Sequence, residues 1–254
     1  MDLKENKNDL EIEAVSKTET NFRSLYGLTP EVENAISISI ENNNKQELVK
    51  LISPLHPADQ ADMLERLNGE ELVTAISLLG KALDPEVLVY LDQNVQEKVI
   101  DIIGPRALAR AIPVLHSDDA VDILQELEEE ERKVVIKQLP KADRILVEEA
   151  LSFPEESAGR LMQREFLALP SNWTVGQTID HMRAKPQEEE DSFYSIYVVD
   201  PAHRLLGVIS LSKLLSAKRP IRLKDLMVTS PRSVNVETDQ EEVALLFQQY
   251  GLVD

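Results

Sequence analysis

Asp118 and Asp122 lie four residues apart in the stretch from Leu115 to Glu131, LHSDDAVDILQELEEEE. On a helix that spacing stacks the two carboxylates on one face, while Ile123, Leu124 and Leu127 turn toward a core. Like charges so placed cost each other roughly 0.2–0.5 kcal/mol unless a cation sits between them. The chemistry this arrangement suits is cation binding by carboxylate oxygens. The plainer alternative is local: Ser117 caps the helix, and Asp118 and Asp119 complement the positive end of its dipole.

Composition narrows the cation. The chain of 254 residues has no cysteine and four histidines, so thiolate sites and cysteine nucleophiles are excluded and imidazole sites are poorly supplied. Carboxylate and water ligands suit hard cations such as magnesium or calcium. The formal net charge of −19 opposes nucleic acid as a partner and attracts cations or basic surfaces. No run of apolar residues approaches the roughly 20 a membrane helix needs, and no secretory signal is present, so a soluble chain is expected.

The elements that must position these acids are helices. Residues 1–24 are polar without sustained period and read as a disordered tail. Thr29 is a candidate N-cap with Pro30 at the first helical position. Helices follow as far as Leu151, broken at Pro54, Pro57, Gly80, Pro85, Gly104, Pro105, Pro113 and Pro140, and they form a solenoid-like layer of helix pairs. An internal repeat at an offset of 60 matches Leu55, His56, Asp59, Asp62, Leu64, Leu67, Glu70, Glu71, Ile76 and Leu79 to identical residues between Leu115 and Leu139. Acids that recur have a capping role common to both copies, and His56 and His116 mark helix entries. Asp118 replaces Ala58 and has no such explanation.

After Leu151 the pattern changes. Thr174 to about 185 reads as a helix, Phe193–Val199 as a strand, Asp200, Pro201 and His203 as a turn, Leu205–Ser210 as a second strand and Ser212–Leu215 as a helix. From Leu226 a second copy of this α/β unit begins, restating residues 161–183 with a small insertion, and Asp254 arrives before its two strands. The second unit is expected to be incomplete. Trp173 reads as core or interdomain packing, and the acidic runs Glu128–Glu131 and Glu188–Asp191 as solvated surface.

GVISLSKLL, in a unit that starts to repeat, resembles the CBS domain, which works in tandem pairs. Together with PEVLVYL, SDDAVDILQEL, SAGRLM, IYVVD and TDQEEVA, over about residues 30–254, the chain resembles the cytosolic region of the MgtE family of magnesium transporters. The resemblance implies an all-α superhelical N domain over 25–151, a linker and first CBS domain over 152–221, and a partial second CBS domain over 222–254. It also implies a homodimer on the cytoplasmic side of the cell membrane, attached to its own pore domain, which this sequence lacks. Magnesium ions are expected to bridge the two acidic surfaces and favour the closed pore. The N-domain ligands carried over are Glu86, Asp118 and Asp122, and those of the second CBS unit are Asp239 and Glu241. Where family members can carry an acid after the tyrosine ending the second CBS helix, this chain has Gly251 after Tyr250, which puts one bridge in doubt.

Three rival readings differ in class. An adenine nucleotide held near Asp200 and Ser210 would make the CBS units an energy sensor. A helical scaffold, like the repeats of a flagellar motor switch protein, accounts for the first half alone. An enzyme is disfavoured: the chain has no GxSxG elbow, P-loop or HExxH motif.

Overall fold

The computed structural model describes residues 28–184 and 194–252. The tail of residues 1–24, the acidic run 188–191 and Phe193 lie outside them. Contacts group the chain into two units, one running to Leu115 and including Ile123–Arg144, the other combining His116–Asp122 with Ile145 onward.

The first unit is helical, and its helices start where the sequence has caps and prolines. Helix α1 (Pro30–Glu41) is capped by Thr29, whose hydroxyl accepts from the Val32 N–H at 3.4 Å, with Pro30 opening the first turn. Helix α2 (Lys45–Ile52) is capped by Asn44. Helix α3 (Pro57–Glu65) starts on His56, whose Nδ1 accepts from the Ala58 N–H at 3.2 Å. Helix α4 (Gly69–Leu79) carries a full capping box: Asn68 accepts from Glu71 N–H, and the Glu71 carboxylate accepts from Asn68 N–H at 3.0 Å. Next come α5 (Val87–Tyr90), α6 (Gln93–Ile103) and α7 (Pro105–Ala111). The second copy of the repeat is α8 (Ser117–Glu126) and α9 (Glu129–Gln138), followed by α10 (Lys141–Ser152).

The offset of 60 therefore maps helix on helix, and the matched core positions are buried in both copies: Leu64 and Leu124, Met63 and Ile123, Leu79 and Leu139. The buried glutamines donate to backbone, Gln60 to Leu55 O at 2.9 Å and Gln96 to Leu88 O at 2.8 Å, while Gln60 Oε1 is left without a partner. The expectation of shared capping fails at α9. Its N-cap is Glu128, which makes no side-chain cap bond, because a glutamate lacks the short reach of asparagine. Glu131 thus has no box to complete, while Glu129 and Glu130 both pair with Lys133, and the Glu129 carboxyl is held below its usual range by that hydrogen bond.

The second unit is built on a four-stranded sheet in the order β1 (Ala168–Pro170), β2 (Ser195–Val199), β3 (Leu205–Ser210), β4 (Val228–Thr229). The first pair is parallel and the others antiparallel, with α11 (Ala158–Leu161), α12 (Val175–Ala184), α13 (Leu211–Ser216), α14 (Leu223–Leu226) and α15 (Gln240–Tyr250) around it. Leu169, Val175, Ile196, Val198, Ile209, Leu214 and Leu223 form its core, with Trp173 packed against it. Gly207 is required by packing: a Cβ there would lie 2.6 Å from Val228 O, so a side chain would push β4 off β3.

The two copies of the α/β unit exchange their first segments. Leu223 N–H donates to Trp173 O and Lys224 N–H to Ser171 O, while Ala158 N–H donates to Thr238 O and Gly159 N–H to Val236 O. Every pair is related by an offset of 65 residues, as are the bridges Thr174–Arg222 and Ser157–Asp239. The expected small insertion is absent over this stretch, since equal spacing is needed for each short helix to reach the N-cap of the other copy's long helix. None of α15 is buried, and Leu245 and Phe247 are exposed. Gly251 ends α15 at φ +60°, a left-handed C-cap that an acidic residue would occupy only with strain, which gives the departure after Tyr250 a local physical reason.

Candidate metal-responsive site

The start of α8 departs from its repeat partner at two successive positions. Ser117 stands where α3 has Pro57, and Asp118 where α3 has Ala58. Ser117 is the first helical residue rather than the cap, as the repeat with His56 requires, so its expected capping role is corrected. Its hydroxyl instead donates to Glu165 Oε2 at 2.8 Å and accepts from the Arg164 N–H at 2.8 Å, and its own N–H points to Glu165 Oε2 at 3.3 Å. Proline could supply neither donor. Both partners lie in the same unit, which takes His116–Asp122 together with the chain from Ile145 onward.

Asp118 is half-buried, and its Oδ1 is buried with no hydrogen-bond partner. Such an atom is desolvated without a hydrogen bond in return. Asp119 is affected as well. Burial pushes its carboxyl above the usual range, Asp118, Asp122 and Glu165 push it further, and His116 pulls the other way. It was expected to be an ordinary first-turn acid favoured by the dipole; the loss of hydration and the surrounding acids reverse that.

Arg160 is buried and donates to Phe153 O at 2.7 Å and Leu151 O at 3.1 Å. The Arg164 side chain is 12% exposed, with Glu149 Oε2 4.0 Å from its Nη2, and that Nη2 makes no hydrogen bond.

Glu86 lies in the first unit, exposed, just before α5, with its N–H bonded to Asp84 Oδ1 at 3.1 Å. Asp239 and Glu241 open α15, and Asp239 Oδ1 caps it by accepting from Glu241 N–H at 2.8 Å. Among the described residues no group of three or more His, Asp or Glu is arranged to hold a metal ion on its own. Magnesium needs no such cage, because it keeps several waters and binds through one or two carboxylates. Asp118 and Asp122 are two such carboxylates, one turn apart on α8. Glu165 was missed in the sequence, and the substitution of Ser117 for Pro57 is the signal that points to it.

The comparisons agree with this architecture. Residues 55–156 match the MgtE intracellular N domain and residues 158–219 the CBS domain. The magnesium transporter MgtE of Thermus thermophilus is 31% identical over 215 residues, 84% of this chain and 48% of that protein. The one of Bacillus subtilis is 24% identical over 218 residues, again 48% of its length, so the chain spans about half of these relatives. The soluble part of a magnesium transporter superposes with a TM-score of 0.76 at 24% identity over 88% of both chains. The cytosolic domain of the Mg2+ channel MgtE in complex with ATP gives 0.76 at 29% identity, covering 87% of this chain and 90% of that one. The chain belongs to the MgtE family, of whose architecture it carries the intracellular N domain followed by a CBS domain.

Proposed function

We propose that this chain is the magnesium-sensing regulatory region of a transporter, with the N domain over 25–151 and CBS units over 152–221 and 222–254. The carrying observation is the start of α8, where Asp118 keeps a buried oxygen without a donor and Asp119 is destabilised as an anion. A bound magnesium ion supplies divalent charge and coordination sites for carboxylate and water. Asp118 and Asp122, with Glu86, present the N-domain acids, and Asp239 and Glu241 those of the second CBS unit. Unit charges 4 Å apart repel by about 1 kcal/mol in water and more where water is excluded, so acidic surfaces stay apart until neutralised. Ions that bind the closed arrangement better than the open one shift the population by concentration alone. In the full-length protein this region faces the cytosol as a homodimer and acts on its own pore domain. It regulates rather than catalyses.

The test is thermal melting in chelator, in magnesium and in sodium at matched ionic strength. Magnesium should raise the melting temperature well beyond sodium, since screening is common to both and bridging is not. An equal response would refute the proposal.

The ATP bound to one similar structure supports a second reading, an adenine nucleotide on the CBS units. Asp200 and Ser210 are poor anchors for it. Asp200 is occupied by the Arg204 and Ala202 N–H groups and the Arg204 side chain, which together hold its carboxyl below the usual range, and Ser210 caps α13. Calorimetric titration with ATP decides whether the CBS units bind it by other residues.

A further inference from the structure

We propose that Ser117 and Glu165 are positioning residues: a metal-independent latch that fixes the start of α8, and with it Asp118 and Asp122, before any ion arrives. The latch consists of the two 2.8 Å bonds of the Ser117 hydroxyl, to Glu165 Oε2 and from Arg164 N–H, together with the Ser117 N–H toward the same carboxylate at 3.3 Å. Glu165 Oε2 also receives the Arg164 N–H at 3.2 Å, so one carboxylate oxygen and one hydroxyl gather two backbone donors. Charge-assisted bonds of this kind are stronger than neutral ones. The repeat supplies the control built into the chain: α3 starts in the same way on His56 with Pro57, which has neither N–H nor hydroxyl to give. Helix initiation therefore does not need Ser117; holding Glu165 does.

The latch lies within one unit, since residues 116–122 group with the chain from Ile145 onward. It brings a further negative charge near Asp119. That raises the local acid density and leaves the acids where an ion would meet them already assembled, so less ordering remains for the ion to drive. Only this second consequence rests on the magnesium reading.

The experiment compares the full chain with Ser117→Pro, which restores the residue of the first copy and keeps the helix start, and with Ser117→Thr, which keeps the hydroxyl. In chelator, amide exchange at Arg164 should quicken about tenfold in Ser117→Pro, the weight of one net hydrogen bond, and stay slow in Ser117→Thr. Unchanged exchange in Ser117→Pro overturns the latch. In a magnesium titration followed by melting temperature, Ser117→Pro should need several-fold more magnesium to reach an unaltered plateau, with Ser117→Thr restoring the original midpoint. A Ser117→Pro midpoint equal to that of the parent overturns the positioning role. If the parent chain itself ignores magnesium while exchange responds as stated, the sensing proposal fails and the latch stands.

Discussion

Helix α3 opens on His56 and Pro57 and α8 on His116 and Ser117, sixty residues apart, and the two helices then bury the same positions, Leu64 and Leu124 among them. Their partners α4 and α9 diverge in the same manner. Helix α4 has a capping box and four buried apolar residues, whereas α9 has neither a side-chain cap nor more than one buried residue, with Arg132 in place of Leu72. A repeat is held by what it buries, because a cavity or a charge in the core costs several kcal/mol. Its helix starts are under weaker constraint, worth about 1 kcal/mol each, and there one copy can acquire chemistry the other lacks. The second copy has done so at Ser117 and Asp118.

The largest effect should fall on what the copies share. Leu64→Ala and Leu124→Ala both remove a fully buried side chain and should each cost about 2–5 kcal/mol in urea unfolding. A cost at Leu124 below 1 kcal/mol would show that the second core is loosely packed and that the copies are not equivalent. A smaller effect separates the starts of α4 and α9. Asn68→Ala should lose about 1 kcal/mol by breaking the capping box, while Glu128→Ala should be close to neutral and Glu128→Asn should gain a comparable cap. Equal losses in the two alanine variants would contradict the comparison.

The pH dependence tests the start of α8 directly. The folded-state pKa of Asp119 is raised, chiefly by burial and then by Asp118, so its ionised form opposes folding. Protonation relieves that cost: the contribution is fully favourable below the unfolded-state value and is lost as pH rises through the folded one. Asp119→Asn should therefore be more stable than the parent at neutral pH in chelator, with the advantage shrinking as pH falls through the carboxylate range. A variant that is less stable at pH 7 would restore the ordinary first-turn role.

Much of this could be read from the sequence. Helix positions followed from Thr29, Pro30, Pro57 and Pro105, and the strands and turn of the CBS domain from aromatic and β-branched residues on either side of Asp200–His203. What escaped was anything set by contacts distant in the chain. Glu165 lies in a featureless stretch between Arg164 and Phe166, and its bond to Ser117 spans 48 positions. The exchange of α11 and α14 between the two α/β copies is likewise a matter of tertiary pairing, and the expected small insertion hid the constant offset that goes with it. Glu131 misled for a different reason: a recurring Glu71/Glu131 suggested a recurring cap, but a capping box needs both members, and Asn68 does not recur.

The smallest expected change in stability belongs to Asp118, on which the magnesium proposal rests most heavily. Asp118 stands one turn before Asp122 and carries a buried oxygen with no donor, in a position where the first copy manages with Ala58. Asp118→Ala restores that alanine. In chelator it should leave the chain as stable or slightly more so, by roughly 0.2–0.5 kcal/mol from relief of the like-charge pair, with removal of the orphaned oxygen acting in the same direction. In magnesium the order should reverse, because the parent gains from binding and the variant gains less. Ala58→Asp in α3 makes the complementary change, and since Pro57 cannot recruit a partner as Ser117 does, it should add a charge without adding a magnesium response. Thermal melts of the three chains with and without the ion decide the matter. A full magnesium response in Asp118→Ala would place the sensing acids elsewhere, whereas a new response in Ala58→Asp would mean that a bare acid at a helix start suffices and that the differences between the copies at Ser117 carry no weight.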